Sequence, residues 1–299
     1  MNGISIKAEQ GRRMRAPGFI AALDQSGGST PGALEEYGIA RDAYSGDAQM
    51  FDLVHAFRAR VVTDAAFTQA RILATILFED TMRRSVNGLP TARFLWERKG
   101  IIPFLKIDKG LEPQANGVQL MKVIPGLDAT LSFALEQGAF GTKERSVIRA
   151  ANAAGISALV HQQFELARTV LEAGLVPILE PEVDITIPDK DGGEQLLLTA
   201  LLEGLETLDP HDRIMVKVSI PNDPGRYAAL EKDPRVLRVV ALSGGYPRDE
   251  ACARLAATPG LTASFSRALL DGLRVDQSNA AFHATLEASI QEIFEASTT

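Results

Sequence analysis

Cysteine is almost missing: Cys252 stands alone in 299 residues. That excludes an intrachain disulfide framework and fits a reducing compartment. Histidine is sparse as well. His55, His161, His211 and His283 are scattered, three of them in helix-like sequence, and assemble no zinc spacing. Carboxylates are plentiful, so oxygen-ligand magnesium sites survive this filter. No run of 18 apolar residues offers a membrane span. The N-terminus, with Lys7, Glu9, Arg12 and Arg13 close together, lacks the apolar core of a signal peptide. There is no basic block, and 31 basic against 38 acidic residues leave a net charge of -7, a poor match to nucleic acid. The expectation is a cytoplasmic protein with neither a membrane nor a nucleic-acid partner; a homo-oligomer is compatible with it.

What is present is an ordinary globular composition, 45% hydrophobic and 23% charged, enough to bury a large core. Eight apolar runs follow one another, at residues 18–24, 72–80, 101–106, 139–145, 176–182, 214–220, 239–243 and 261–267. Helical spacing occupies residues 47–70, where Met50, Leu53, Val54, Phe57 and Val61 form an apolar stripe. It recurs at 155–173, 194–208, 247–257, with proline in the first turn, and 275–296. Residues 1–17 are polar and read as an arm or helix lying over the barrel; 189–193 and 221–225 read as loops. Eight strand–helix units predict an α/β fold, a single (β/α)8 barrel in which residues 1–299 form one domain.

Barrel enzymes place their chemistry at the carboxyl ends of the strands. Here those ends carry Asp24; Glu79 and Asp80; Lys106 and Asp108; Lys143 and Arg145; Glu180 and Glu182; Lys217; Ser243; and Arg267. Only nine lysines exist, and three of them are in this set. Parity sharpens the pattern. Ile214, Val216, Val218 and Ile220 fall on one face of an extended chain, leaving Lys217 on the other with Met215 and Ser219. Glu180 shares a face with Glu182, Lys106 with Asp108, and Lys143 with Arg145. One reading is a network of structural ion pairs, with the Lys217 stem packed and its ammonium reaching solvent or a carboxylate. The other is an amine used as a nucleophile toward a carbonyl.

A lysine with pKa near 10.4 is neutral to only about 0.04% at pH 7, whereas a pKa of roughly 7.5 would free about a quarter of it. Desolvation with Lys106, Lys143 and Arg145 nearby is expected to supply such a shift to Lys217, and Glu180 could shuttle protons. On the phosphate side, Ser243, Gly244 and Gly245 follow the seventh strand and Arg267 ends the eighth, where barrels often hold phosphate. The glycines let backbone N–H groups face the anion.

Taken together, these residues resemble class I fructose-bisphosphate aldolase, the metal-independent Schiff-base type, over residues 18–270. The carriers are Ala21 to Ser26, Ile76 to Glu79, Pro103 to Gly110, Pro177 to Glu182, Val216-Lys217, Leu242 to Gly245 and Arg267 to Leu269. The resemblance implies a phosphosugar substrate and no cofactor. Lys217 would form the Schiff base, Glu180 would act as acid/base, Asp24 would take the C4 hydroxyl proton, and Lys143 would position substrate. Glu182 would bond the lysines; Arg267 with Ser243, Gly244 and Gly245 would grip one phosphate; Lys106, Arg145 and Ser29 would contact the rest of the bisphosphate. Animal members differ in a basic pair where this chain has Thr30-Pro31-Gly32, a tryptophan at the position of Glu144, and a terminal tyrosine. The differences point to the shorter bacterial branch. Two alternatives stand beside this reading: a Schiff-base barrel acting on another sugar phosphate, and a non-catalytic phosphosugar-binding protein.

Overall fold

The computed structural model describes residues 3–299, and in it eight parallel strands close on themselves. They are β1 (Phe19–Leu23), β2 (Ile72–Leu77), β3 (Ile102–Lys106), β4 (Gly141–Ile148), β5 (Val176–Val183), β6 (Ile214–Ser219), β7 (Val236–Leu242) and β8 (Thr262–Phe265). Each pairs with the next, and β8 returns to β1 through Ile20 opposite Ser264. Helices alternate with the strands; the main ones are Gly46–Thr63, Leu127–Glu136, Ala153–Glu172, Lys190–Leu205, Arg248–Ala256 and Asn279–Ala296. This is the (β/α)8 barrel that the eight apolar runs predict.

The pleat sorts each strand into two faces. Ile20, Ala22, Ala74, Ile76, Phe104, Ile178, Met215 and Val240 pack into the interior. Ile214, Val216, Val218 and their counterparts meet the helices in a larger outer layer. Gly141 is needed for closure: a Cβ there would sit 1.8 Å from Val176 O and 2.8 Å from the Phe104 ring. Without it, β3, β4 and β5 could not approach, nor could Phe104 meet Phe140 edge-on at 5.6 Å between ring centroids.

The amino-terminal helix Gly3–Arg13 delivers Met14 into the interior cluster. Arg13 donates to Gly100 O at 2.7 Å, just before β3, and Arg238 near the start of β7 donates to Met14 O and Ala16 O. The arm thus stoppers the amino end of the barrel and leaves the carboxyl end free. Met1 and Asn2, the first two residues of that expected arm, lie outside the described residues.

Three local expectations are corrected. Residues 189–193 are not a loop: Asp189 caps a helix by accepting from Gly192 N at 2.9 Å, and Lys190 opens it. Gly192 and Gly193 disguise the first turn in the sequence. Pro247 occupies the N-cap position, one residue before the helix and not inside its first turn. The helix expected over 47–70 stops at Thr63, where Asp64 folds back to accept from Ala66 N.

Candidate active site

Moving up the interior face, the apolar side chains give way to charge. Above Met215 comes Lys217, above Ile178 comes Glu180, above Ala22 comes Asp24, and above Gly141 comes Lys143. Strand register sets them side by side, with Lys106 opposite Lys143 and Arg145 opposite Glu180. They line a cleft of about 620 Å3 at the carboxyl ends of the strands.

Glu180 stands between two ammonium groups, with Oε1 2.9 Å from Lys217 Nζ and Oε2 2.8 Å from Lys143 Nζ. Lys143 also lies 2.8 Å from Asp24 Oδ2 and 3.7 Å from Asp108 Oδ2. Lys106 donates to Asp108 Oδ1 at 2.6 Å, and Arg145 Nε to Glu182 Oε2 at 2.6 Å. Asp24, Asp108, Lys143, Glu180 and Lys217 are buried, while Lys106, Arg145 and Glu182 keep partial exposure.

These contacts set the protonation states. Burial alone would lower the Lys143 amine, but Asp24, Glu180 and Asp108 outweigh it and hold it above its usual range. Burial would raise Asp24 and Glu180; the lysines outweigh it and hold both carboxyls below the usual range. Burial and then the Lys143 charge hold Lys106 below its own. The cations expected to crowd Lys217 are therefore not free charges. Lys106, Lys143 and Arg145 each face at least one carboxylate.

The far side of the cleft carries the glycine turn after β7 and Arg267. Gly244 (φ 65) and Gly245 (φ 113) take left-handed conformations after β7, turning the backbone so that Tyr246 N bonds Ser243 O at 3.0 Å. A Cβ on Gly244 would meet Ile185 Cγ2 at 2.6 Å. Arg267 lines the same corner and, among the described residues, forms no ion pair. Ser29 lines the cleft from the turn after β1, its hydroxyl exchanging bonds with the Ser26 backbone.

The chain has relatives among known proteins. The family model described as fructose-bisphosphate aldolase class-I matches residues 48–192. The protein of Synechocystis sp. named fructose-bisphosphate aldolase class 1 is 54% identical over 292 residues, covering 97% of each chain. This chain belongs to the class I fructose-bisphosphate aldolases. Proteins with the same name from Clostridium acetobutylicum and Porphyromonas gingivalis are 52% and 51% identical over 293 residues, covering 98% of this chain and 99% of theirs. A solved aldolase of Plasmodium falciparum, in complex with TRAP and a small-molecule inhibitor, superposes with a TM-score of 0.69 at 21% identity, over 98% of this chain and 95% of that one. At that identity it speaks for the shared barrel.

In this aldolase, eleven of the expected residues line one cleft: Asp24, Ser29, Lys106, Lys143, Arg145, Glu180, Glu182, Lys217, Ser243, Gly244 and Arg267. Gly245 sits behind Arg267, whose Nη2 lies 3.4 Å from where a Cβ would be. Two strand-end acids are elsewhere. After β2 stops at Leu77, Glu79 and Asp80 enter a short helix and pair with Arg83 and Lys109, and with Arg84. Glu182, expected beside the lysines, pairs with Arg145 instead. Glu144, at the tryptophan position of the animal enzymes, points to the outer layer and is completely buried.

Sequence reasoning passed over Gln25, Ser264 and Ser266, which also line the cleft, and Arg58 beneath it. The signals were there: Ser264 and Ser266 continue the interior parity of β8, and Arg58 interrupts the apolar stripe of its helix.

Proposed function

We propose that Lys217 attacks the C2 ketone of fructose 1,6-bisphosphate and that Glu180, Asp24 and Lys143 carry the proton traffic that leads to dihydroxyacetone phosphate and glyceraldehyde 3-phosphate. Of the buried lysines, Lys217 meets a single carboxylate, whereas Lys143 is held by three and kept as an ammonium. The Lys217 proton passes to Glu180 across 2.9 Å, leaving a neutral amine to add to the ketone. Glu180 returns a proton to the carbinolamine hydroxyl, which leaves as water and yields the protonated imine. Asp24 then accepts the C4 hydroxyl proton. The C3–C4 bond breaks, its electron pair moves into the imine to give an enamine, and the aldehyde departs. Protonation at C3 and hydrolysis of the imine release dihydroxyacetone phosphate and restore the amine.

The observation that carries this reading is the unbroken chain Lys217–Glu180–Lys143–Asp24, with contacts of 2.9, 2.8 and 2.8 Å. It joins nucleophile, proton carrier and base. Arg267 and the Ser243 to Gly245 backbone take one phosphate; Ser29, Lys106 and Arg145 contact the remainder of the substrate. The whole chain acts as one domain in the cytoplasm. None of its described helices is long and apolar enough to cross a membrane. Borohydride with dihydroxyacetone phosphate is expected to label Lys217, and Lys217→Met to abolish both label and cleavage. Label on Lys106 or Lys143 would reassign the nucleophile.

A further inference from the structure

Arg58 sits on the core face of the helix Gly46–Thr63, between Val54 and Val61, and is 2% exposed. A guanidinium in an apolar seam is strongly disfavoured unless its donors are used. No carboxylate among the described residues lies within ion-pair distance, and Nε has no partner. The other donors are aimed at the site. Nη1 donates to Thr81 Oγ1 at 2.7 Å, and Nη2 to Gln25 O at 2.5 Å. Gln25 follows Asp24 directly, and its Nε2 donates to Ser266 Oγ at 2.6 Å, one residue before Arg267.

We propose that Arg58 is a positioning residue for aldol cleavage, holding the Asp24–Gln25 peptide and, through Gln25, tying the end of β1 to the end of β8. It rests on the reading of Asp24 as acceptor of the C4 hydroxyl proton. Two segments meet at the Arg58 side chain, the turn after β1 through Gln25 and the short helix after β2 through Thr81, and the Gln25 side chain extends the relay to the end of β8 through Ser266. The base and the phosphate grip belong to the ends of β1 and β8, so the relay fixes their separation, which must match that between C4 and the phosphate. The guanidinium also acts electrostatically. Burial lowers its pKa to about 10, so it remains a cation at neutral pH, and its field favours the anionic form of Asp24. An apolar side chain would fill the seam without either effect.

The test compares Arg58→Met, Arg58→Lys and Gln25→Ala with Asp24→Asn, following kcat, KM for fructose 1,6-bisphosphate, thermal unfolding and the borohydride-trapped imine. Arg58→Met is expected to trap the imine on Lys217 as the parent does while kcat falls about 10- to 100-fold, the loss typical of a small misplacement. Arg58→Lys recovers part of kcat, and Gln25→Ala, which strands no buried charge, raises KM. Folded Arg58→Met with only a lowered unfolding temperature and parental kcat overturns the proposal, as does loss of imine trapping in step with kcat. Should Arg58→Met not fold, Arg58→Lys and Gln25→Ala decide it, and parental kinetics in both overturn it. Undiminished cleavage by Asp24→Asn would instead overturn the reading of Asp24. An inactive Asp24→Asn beside kinetically normal Arg58 and Gln25 variants would sink the positioning role alone.

Discussion

Lys143 Nζ lies 2.8 Å from Glu180 Oε2, and this contact favours the charged form of the proposed acid/base group. Burial pushes the Glu180 carboxyl up; the Lys143 ammonium, then that of Lys217, pulls it down. Asp24 is under the same opposition. Replacing Lys143 by methionine keeps the stem and removes the charge, so both carboxyls rise. The acidic limb of the kcat–pH profile is expected to move to higher pH, with kcat lowered about 10²- to 10⁴-fold at its plateau. A reduced kcat with the acidic limb unmoved would show that Lys143 does not govern these two groups.

Glu144, one residue along, answers to a different environment. It faces the outer layer, accepts from Thr142 Oγ1 at 3.2 Å, and burial pushes its carboxyl up to about 8. An unfolded glutamate titrates near 4.3. Between those values the folded chain holds a proton that the unfolded chain has released. Stability is therefore fully present below about 4.3 and declines by up to about 1.4 kcal/mol per pH unit until the folded group ionises. Glu144→Gln preserves shape and the Thr142 acceptor, and is expected to flatten this decline. Urea midpoints at pH 5, 6.5 and 8 measure it; parallel slopes for parent and variant contradict it.

The contrast between Lys143 and Glu144 shows what can be read from sequence. Period two separates adjacent residues onto opposite faces, so the interior set at the strand ends was legible before any coordinates. Which acid meets which base was not. Arg145 lies opposite Glu180 in register, yet its guanidinium reaches Glu182, one pleat further along β5. That choice depends on side-chain reach across a twisted barrel. Helix starts failed where the residues follow turn chemistry in sequence: Gly192 and Gly193 lie in the first turn of a helix, and Pro247 is itself the N-cap. Arg58 escaped because a charge within an apolar stripe reads as a defect of pattern until its partners are known.

The electron sink in the proposed reaction is the protonated imine on Lys217, so the C3–C4 cleavage requires no Lewis acid. Exhaustive dialysis against a chelator is expected to leave kcat unchanged and the borohydride-trapped adduct intact. Loss of cleavage that added divalent cation restores, with trapping unaffected, would place a metal at the bond-breaking step.

Arg267 makes the sharpest prediction for substrate binding, because among the described residues its guanidinium is uncommitted while Lys106, Lys143, Arg145 and Lys217 each face a carboxylate. A charge-assisted hydrogen bond of this kind contributes about 1.5–3 kcal/mol. Arg267→Met should then raise KM for fructose 1,6-bisphosphate, and the concentration of inorganic phosphate that inhibits, by about 10- to 100-fold. Arg267→Lys should recover part of the loss, since a point charge replaces the charge but not the planar fork. The imine with saturating dihydroxyacetone phosphate should still form, because Lys217 and Glu180 are untouched. If Arg267→Met leaves phosphate inhibition at the parental level, the anion is held elsewhere in the cleft, by the paired cations Lys106 and Arg145 after they release their carboxylates.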